Sequence, residues 1–183
     1  TAINLTSTGS GSSHSLTETT RTHSLSTLAV SGAGAPEVGV AGSVAINYVG
    51  STTEAFLPTG MALAAGGGDV ALTAANTAAS SSIATSKVQA GAEDGIGLSF
   101  ALNIAPVTTR AEIEDGVGLT GVQNLGLTAM TTPTLITKAE AGAAGDSFSL
   151  GGAVAITLAD TATTAAIGTG TAIDLTGALP LRA

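Results

Sequence analysis

A chain of 183 residues with 13 Asp and Glu against five Lys and Arg carries a formal charge of −8, which leaves no cationic footprint to displace counterions from nucleic acid and disfavours anionic membrane surfaces. Apolar residues make up 44% of the sequence, too many for a disordered chain. Aromatics make up only 2%, with no Trp, so the interior must be thin and closely layered rather than a thick core filled by large side chains.

In chain order, residues 1–37 form a divergent partial repeat. It opens on "INLT" at Ile3 and runs through the Ser/Thr-rich "SSHSLTETTRTHSL", which holds both histidines, His14 and His23. Residues 38–94 form the first full unit. Val40, Gly42, Val44, Ile46 and Tyr48 alternate with Ala41, Ser43, Ala45 and Asn47, and alternation of this length predicts a strand with opposite faces. Gly50 then marks a bend, a Thr-rich second arm follows, and "GGGDVALT" from Gly66 reads as a tight turn before another strand.

Residues 95–147 repeat the plan, with Ile96, Leu98, Phe100, Leu102 and Ile104 set against Gly97, Ser99, Ala101 and Asn103. Pro106 occupies the bend position, and "LGLT" at Leu125 matches "VALT". Residues 148–183 form a third, partial unit: Leu150, Gly152, Val154, Ile156 and Leu158 alternate with Gly151, Ala153, Ala155 and Thr157, followed by Asp160 at the bend and "IDLT" at Ile173. Asn47 to Asn103 is a step of 56 residues and Asn103 to Thr157 a step of 54. The leucines of the second block, Leu5, Leu72, Leu127 and Leu175, step less evenly, by 67, 55 and 48. The chain therefore holds about three units of roughly 55 residues with ragged ends.

Units of this kind cannot bury an apolar face alone, and stacked neighbours supply the interior. The expected fold class is all-β, a repetitive β-solenoid with equivalent strands stacked in parallel and the large face inward. A pile of long antiparallel hairpins fits the same alternation. In a parallel stack Glu54 and Arg110 become ladder neighbours, an exposed opposite-charge pair that reports register more than it stabilises.

Segments such as "GVAGSVAINYVGSTTEAFL" followed by "AAGGGDVALTA" resemble the repeat regions of large bacterial filamentous adhesins and leukotoxin-type exoproteins, over about Val38 to Thr176. The match departs at the second copy, where "GVQN" stands in place of "GGGD". The resemblance implies an exported, extracellular or cell-surface stalk with no known chemistry attached. Cysteine is absent, which rules out disulfides and thiolate metal sites and is compatible with export.

Chemistry-bearing residues are few. Asp69, in "GGGD", is half of a calcium-binding nonapeptide signature that works only in tandem. Glu112, Glu114 and Asp115 are the densest carboxylates and the other calcium candidates, although a solvated strand end followed by a turn at Asp115-Gly116 explains them as well. Two histidines without cysteine fall short of a zinc site, and ubiquitous serines make any catalytic triad match uninformative. "GVGLTG" at Gly116 lacks the Lys and the following helix of a phosphate loop. Threonines at Thr53, Thr109 and Thr163 form a regular column that could order water, bind ice or bind a glycan, though Thr is also simply a good strand former. No catalytic residue and no cofactor is expected. No run reaches the roughly 18 apolar residues of a spanning helix. One Tyr and three Phe cannot supply the aromatic girdles of a membrane barrel, so membrane insertion is not expected either.

The sequence therefore points to a non-enzymatic structural or adhesive segment of an exported bacterial protein. A self-assembling filament subunit is the first alternative, and a Thr-face ligand-binding module the second. Its expected partners are other copies of itself or flanking repeats, since open sheet ends invite further pairing.

Overall fold

The computed structural model describes residues 14–89 and 92–183, with the side chains of residues 14–21 left undescribed. The segment holding "INLT" and Leu5, and the side chain of His14, therefore lie outside the described residues. The described chain is all-β. Its strands are β1 (His14–Ala33), β2 (Val38–Tyr48), β3 (Ser51–Leu57), β4 (Ala62–Val88), β5 (Asp94–Ile113), β6 (Gly118–Gly142), β7 (Phe148–Ile167), β8 (Ala172–Leu175) and β9 (Leu181–Arg182).

The strands form two sheets, between which the chain alternates. The first holds β1, β4 and β6 in that order, with β8 and β9 both on the far side of β6. In the second, β2 and β3 share one side of β5 and β7 takes the other. Every ladder among the described residues is parallel, which removes the antiparallel-hairpin alternative. Parallel neighbours need a long crossover, and here each crossover is a strand of the opposite sheet.

The expected register holds in the second sheet. Asn47 stands beside Asn103, and Asn103 beside Thr157; Glu54 stands beside Arg110, with Arg110 Nε 3.4 Å from Glu54 Oε1. In the first sheet the uneven leucine steps resolve differently. Leu72 pairs with Leu127 as expected, but its other neighbour is Leu16, and Leu127 pairs onward with Leu181. Leu175 pairs with Val122 instead. The true column is Leu16, Leu72, Leu127 and Leu181, with steps of 56, 55 and 54. "IDLT" belongs one arm earlier, beside Leu119 and Val122, and only its local composition made it look like "LGLT".

The bend column also differs from expectation. Only the first copy breaks, between β2 and β3, while β5 runs straight through Pro106 and β7 through Asp160. Ile104 accepts the Val49 N–H, so its backbone groups face β2. Two residues on, Pro106 faces the same side without a donor, and the ladder is interrupted opposite it. The real corners lie elsewhere. Gly60, Gly116 and Gly170 sit at successive turns with φ of 71°, 69° and 67°, a backbone region in which a Cβ is penalised. The Asp115-Gly116 turn is therefore where the sequence put it. "GGGD" is a bulge inside β4 rather than a turn before it: the register shifts on both sides of Gly68, and Gly66 and Gly67 have φ of 60° and 89°.

The largest departure concerns which face is inside. In β2 every second residue is buried, but the buried ones are Gly39, Ala41, Ser43, Ala45 and Asn47. Val40, Val44, Ile46 and Tyr48 are 56–62% exposed. The same parity runs unbroken through β5. The expectation of the large face inward is overturned, for a steric reason. Near the start of β5 the two sheets almost touch: a Cβ on Gly95 would lie 2.3 Å from the Ala144 carbonyl oxygen, and one on Gly97 2.4 Å from that of Gly142. No Val or Leu fits there. Toward the other end the interior widens, and Leu57, Leu72, Ile113, Leu119, Leu125 and Leu127, each at most 1% exposed, form the main apolar core.

Candidate functional site

Between the glycine-lined end and the leucine core lies a polar interior, and three inward columns build it. Asn47 reaches from β2 across to the first sheet, its amide donating to the Leu25 carbonyl of β1 at 3.0 Å and to Ser80 Oγ of β4 at 2.9 Å. Asn103 repeats this one step along, donating to the carbonyls of Ser80 and Ile136, each at 3.2 Å, while its own oxygen accepts from the Ser80 hydroxyl. In the third copy the Thr157 and Thr137 hydroxyls lie 2.6 Å apart. A serine column runs beside it, where Ser99 donates to the Glu140 carbonyl at 2.6 Å and its oxygen sits 3.0 Å from Ser43 Oγ. Such side chains satisfy buried polar groups across a gap too narrow for larger ones.

The threonines expected as a binding surface form the third column, and it faces inward. Thr53 is 4% exposed and Thr109 fully buried; Thr163, on the outermost strand, is half-buried. Thr163 donates to Thr131 of β6 at 2.8 Å, and Thr131 donates to Thr109 at 2.7 Å. These hydroxyls join the two sheets. They are not presented to a ligand, because the outward neighbours in the alternation are Thr52, Thr108 and Thr164.

Three of the four carboxylates proposed for calcium are engaged between successive copies, and the fourth, Glu112, by an arginine of its own strand. Asp69 accepts from the backbone and side-chain nitrogens of Asn124 at 3.0 and 2.7 Å, and Asn124 in turn accepts from the Ala178 N–H. Glu114 accepts from the backbone N–H and the hydroxyl of Thr59, both at 3.0 Å. Asp115 caps the next turn, accepting from the backbone N–H and hydroxyl of Thr169 at 2.6 and 3.0 Å. Glu112 lies 3.0 Å from Arg110. Among the described residues no group of three or more potential ligands converges. Instead of closing on an ion, Glu114, Asp115 and Asp69 fasten one corner to the next. His23 is exposed on β1, in a shallow depression beside Tyr48 and Gly50.

What remains for recognition is the outside. No family model, curated protein or solved structure matches this chain. Its two outer faces differ in chemistry. On the first sheet, outward positions of β4 and β6 include Thr73, Thr77, Thr85, Thr128, Thr132 and Thr134, a hydroxyl-rich surface. The second sheet presents rows of large apolar side chains in register: Val40, Ile96 and Leu150; Val44, Phe100 and Val154; Ile46, Leu102 and Ile156; Tyr48, Ile104 and Leu158. The sequence carried this alternation plainly. Burial of large residues is the usual rule and points to the opposite face, and the opposing glycines at 95, 97 and 142 only matter once the sheets are known to face each other there.

Proposed function

We propose that the chain is a non-enzymatic structural segment, a β-solenoid of an exported bacterial surface or filament protein, whose work is mechanical. The observation that carries this reading is the parallel register: equivalent residues of successive copies stand side by side in both sheets, so each copy is a layer that templates the next. The side-chain groups that a catalytic site would use are spent on fastening layers, as the bonds of Asp69, Glu114 and Asp115 illustrate. The resemblance to filamentous adhesin repeats agrees with this role.

A specific observation also favours extension by further layers, from flanking repeats or other copies. Among the described residues, Asn47 Oδ1 and Ser31 Oγ are buried without a partner, and both lie on strands with a single pairing neighbour, β2 and β1. In the next layer the equivalent atoms are satisfied: Asn103 Oδ1 accepts from Ser80, and Ser86 Oγ bonds Ser99. An added layer would bring a hydroxyl column to the same place; in a head-to-tail stack Thr157 of another copy would stand beside Asn47. Leaving a buried acceptor unmade costs about 1–3 kcal/mol, so extension is favoured by more than edge pairing. Electron microscopy of the purified chain over a concentration series tests this reading. Rods that lengthen with concentration support it, and discrete particles with measurable hydrolytic turnover would replace it.

A further inference from the structure

The apolar outer face of β2, β5 and β7 is built to be covered, and we infer that its occupant is a second copy of this chain, packed face to face. This goes beyond end-to-end layering, because it uses the flat side of the second sheet rather than its edges.

Three observations select a second copy. The first is area. Between the acidic Asp94 and the Asp160 row, the face carries Val40, Val44, Ile46, Tyr48, Leu98, Leu150, Val154 and Leu158, each 50–62% exposed. Together with their half-buried neighbours they form one continuous apolar face, larger than the scattered apolar residues usual on a monomer and of the order of a standard interface's ~800 Å² per partner. The second is the absence of charge. No Asp, Glu, Lys or Arg lies in the five rows from Val40 to Leu158 on this face, so a copy meeting a copy buries no unpaired ion, despite a net charge of −8. The same acidity works against an anionic lipid surface.

The third observation is self-complementary relief. Leu98, 53% exposed, stands between Gly42 and Gly152 in the row. A Cβ on Gly152 would meet Leu98 Cδ2 at 3.1 Å, whereas one on Gly42 would meet nothing within 4 Å. The leucine therefore leans one way and leaves a hollow on the other, part of a depression of about 450 Å³ lined also by Val44, Phe100 and Val154. A twofold axis lying in the interface along the strands, midway between β2 and β5, brings Leu98 of each copy over the hollow at Gly42 of its partner, with β2 and β5 at the centre of the contact and β7 at its rim. That is the isologous arrangement of a closed dimer: a knob and its hole on one surface, used twice. The strand spacing of about 4.8 Å sets their separation.

The test is sedimentation velocity of the full chain over a concentration series, with wild type, Leu98→Lys, Gly42→Leu and Thr77→Lys compared, and folding of each checked by circular dichroism and thermal melting. Leu98 and Gly42 point outward, so these variants leave the interior untouched. Wild type and Thr77→Lys, on the opposite outer face, are expected to dimerise. Leu98→Lys is expected to weaken the dimer at least about a hundredfold by burying a lone charge, and Gly42→Leu to weaken it by closing the hollow. Tyr48 is the only tyrosine and the chain has no Trp, so acrylamide quenching of its fluorescence should fall as the dimer forms and recover in Leu98→Lys. A wild type that stays monomeric with Tyr48 fully quenchable would overturn the inference, as would oligomers insensitive to Leu98→Lys. Open-ended oligomers insensitive to that change would overturn it while leaving end-to-end layering intact. Flotation of a monomeric wild type on neutral phosphatidylcholine vesicles, lost in Leu98→Lys, would overturn it in favour of a lipid surface.

Discussion

The two ends of the inter-sheet space solve the same problem with opposite materials. At the corner that joins β5 to β6, the sheets stand apart and Leu57, Ile113, Leu119, Leu125 and Leu127 fill the gap, stabilised by removal of apolar surface from water. At the start of β5 they nearly touch, and glycine, alanine, serine and asparagine line the interior. Little apolar area is available there. What holds it is backbone proximity and hydrogen bonds from Asn47, Asn103 and Ser99 to carbonyls of the facing sheet. A narrow interior is thus not a weak copy of a thick one. It makes size intolerable where the thick end makes size indispensable, and it drives the large residues of the same strands to the outside.

The strongest way to break the contrast is to add bulk at the narrow end. Gly95→Val combined with Gly97→Val forces side chains into the Ala144 and Gly142 carbonyls and is expected to cost about 4 kcal/mol, twice the middle of the usual overpacking range; urea titration of the double variant measures it. Removing bulk at the wide end comes next. Leu127→Ala leaves a cavity among fully buried neighbours, and about 3 kcal/mol should be lost in the same assay. The reciprocal changes sharpen the point: Ala is already the resident at positions such as 101 of the narrow end, so bulk there is the hazard and its absence is not.

Smaller effects separate polar fastening from packing. Asn103→Leu deprives Ser80 of its acceptor and removes the side-chain donor from the Ser80 and Ile136 carbonyls, at about 2 kcal/mol, and amide hydrogen exchange in β4 and β6 around Ser80 and Ile136 should speed up together. Thr109→Val keeps shape but ends the relay from Thr163 through Thr131, for about 1 kcal/mol. Arg110→Ala loses ion pairs to Glu54 and Glu112 that are a quarter or more exposed, and denaturation should register only a few tenths of a kcal/mol.

Much of this was legible in the sequence. The alternation of Val38 to Tyr48 and its copies gave strand, period and the Asn47, Asn103 and Thr157 register, because side chains that must line a column cannot drift. The scarcity of aromatics foretold a thin interior. The faces themselves were not legible, because alternation has two solutions related by a one-residue shift, and the choice rests on contacts between residues as far apart as Gly97 and Gly142. The Thr53, Thr109 and Thr163 column was visible as a column, but its inward direction was not. Leu175 misled for a related reason: a four-residue likeness cannot fix register where a bulge at Gly121 has already shifted the strand.

The inverted faces of the second sheet are the centre of this account, and one measurement reaches them directly. The chain has no cysteine, so single thiols at Thr108 and Thr109 can be labelled without interference. These adjacent residues of β5 lie beyond the apolar rows, Thr108 with the parity of those rows and Thr109 with that of the buried positions. Thr108→Cys is expected to be alkylated fast and Thr109→Cys to stay protected until the chain is unfolded in urea. Protection of Thr108→Cys with rapid labelling of Thr109→Cys would place the large residues inside and contradict the inversion.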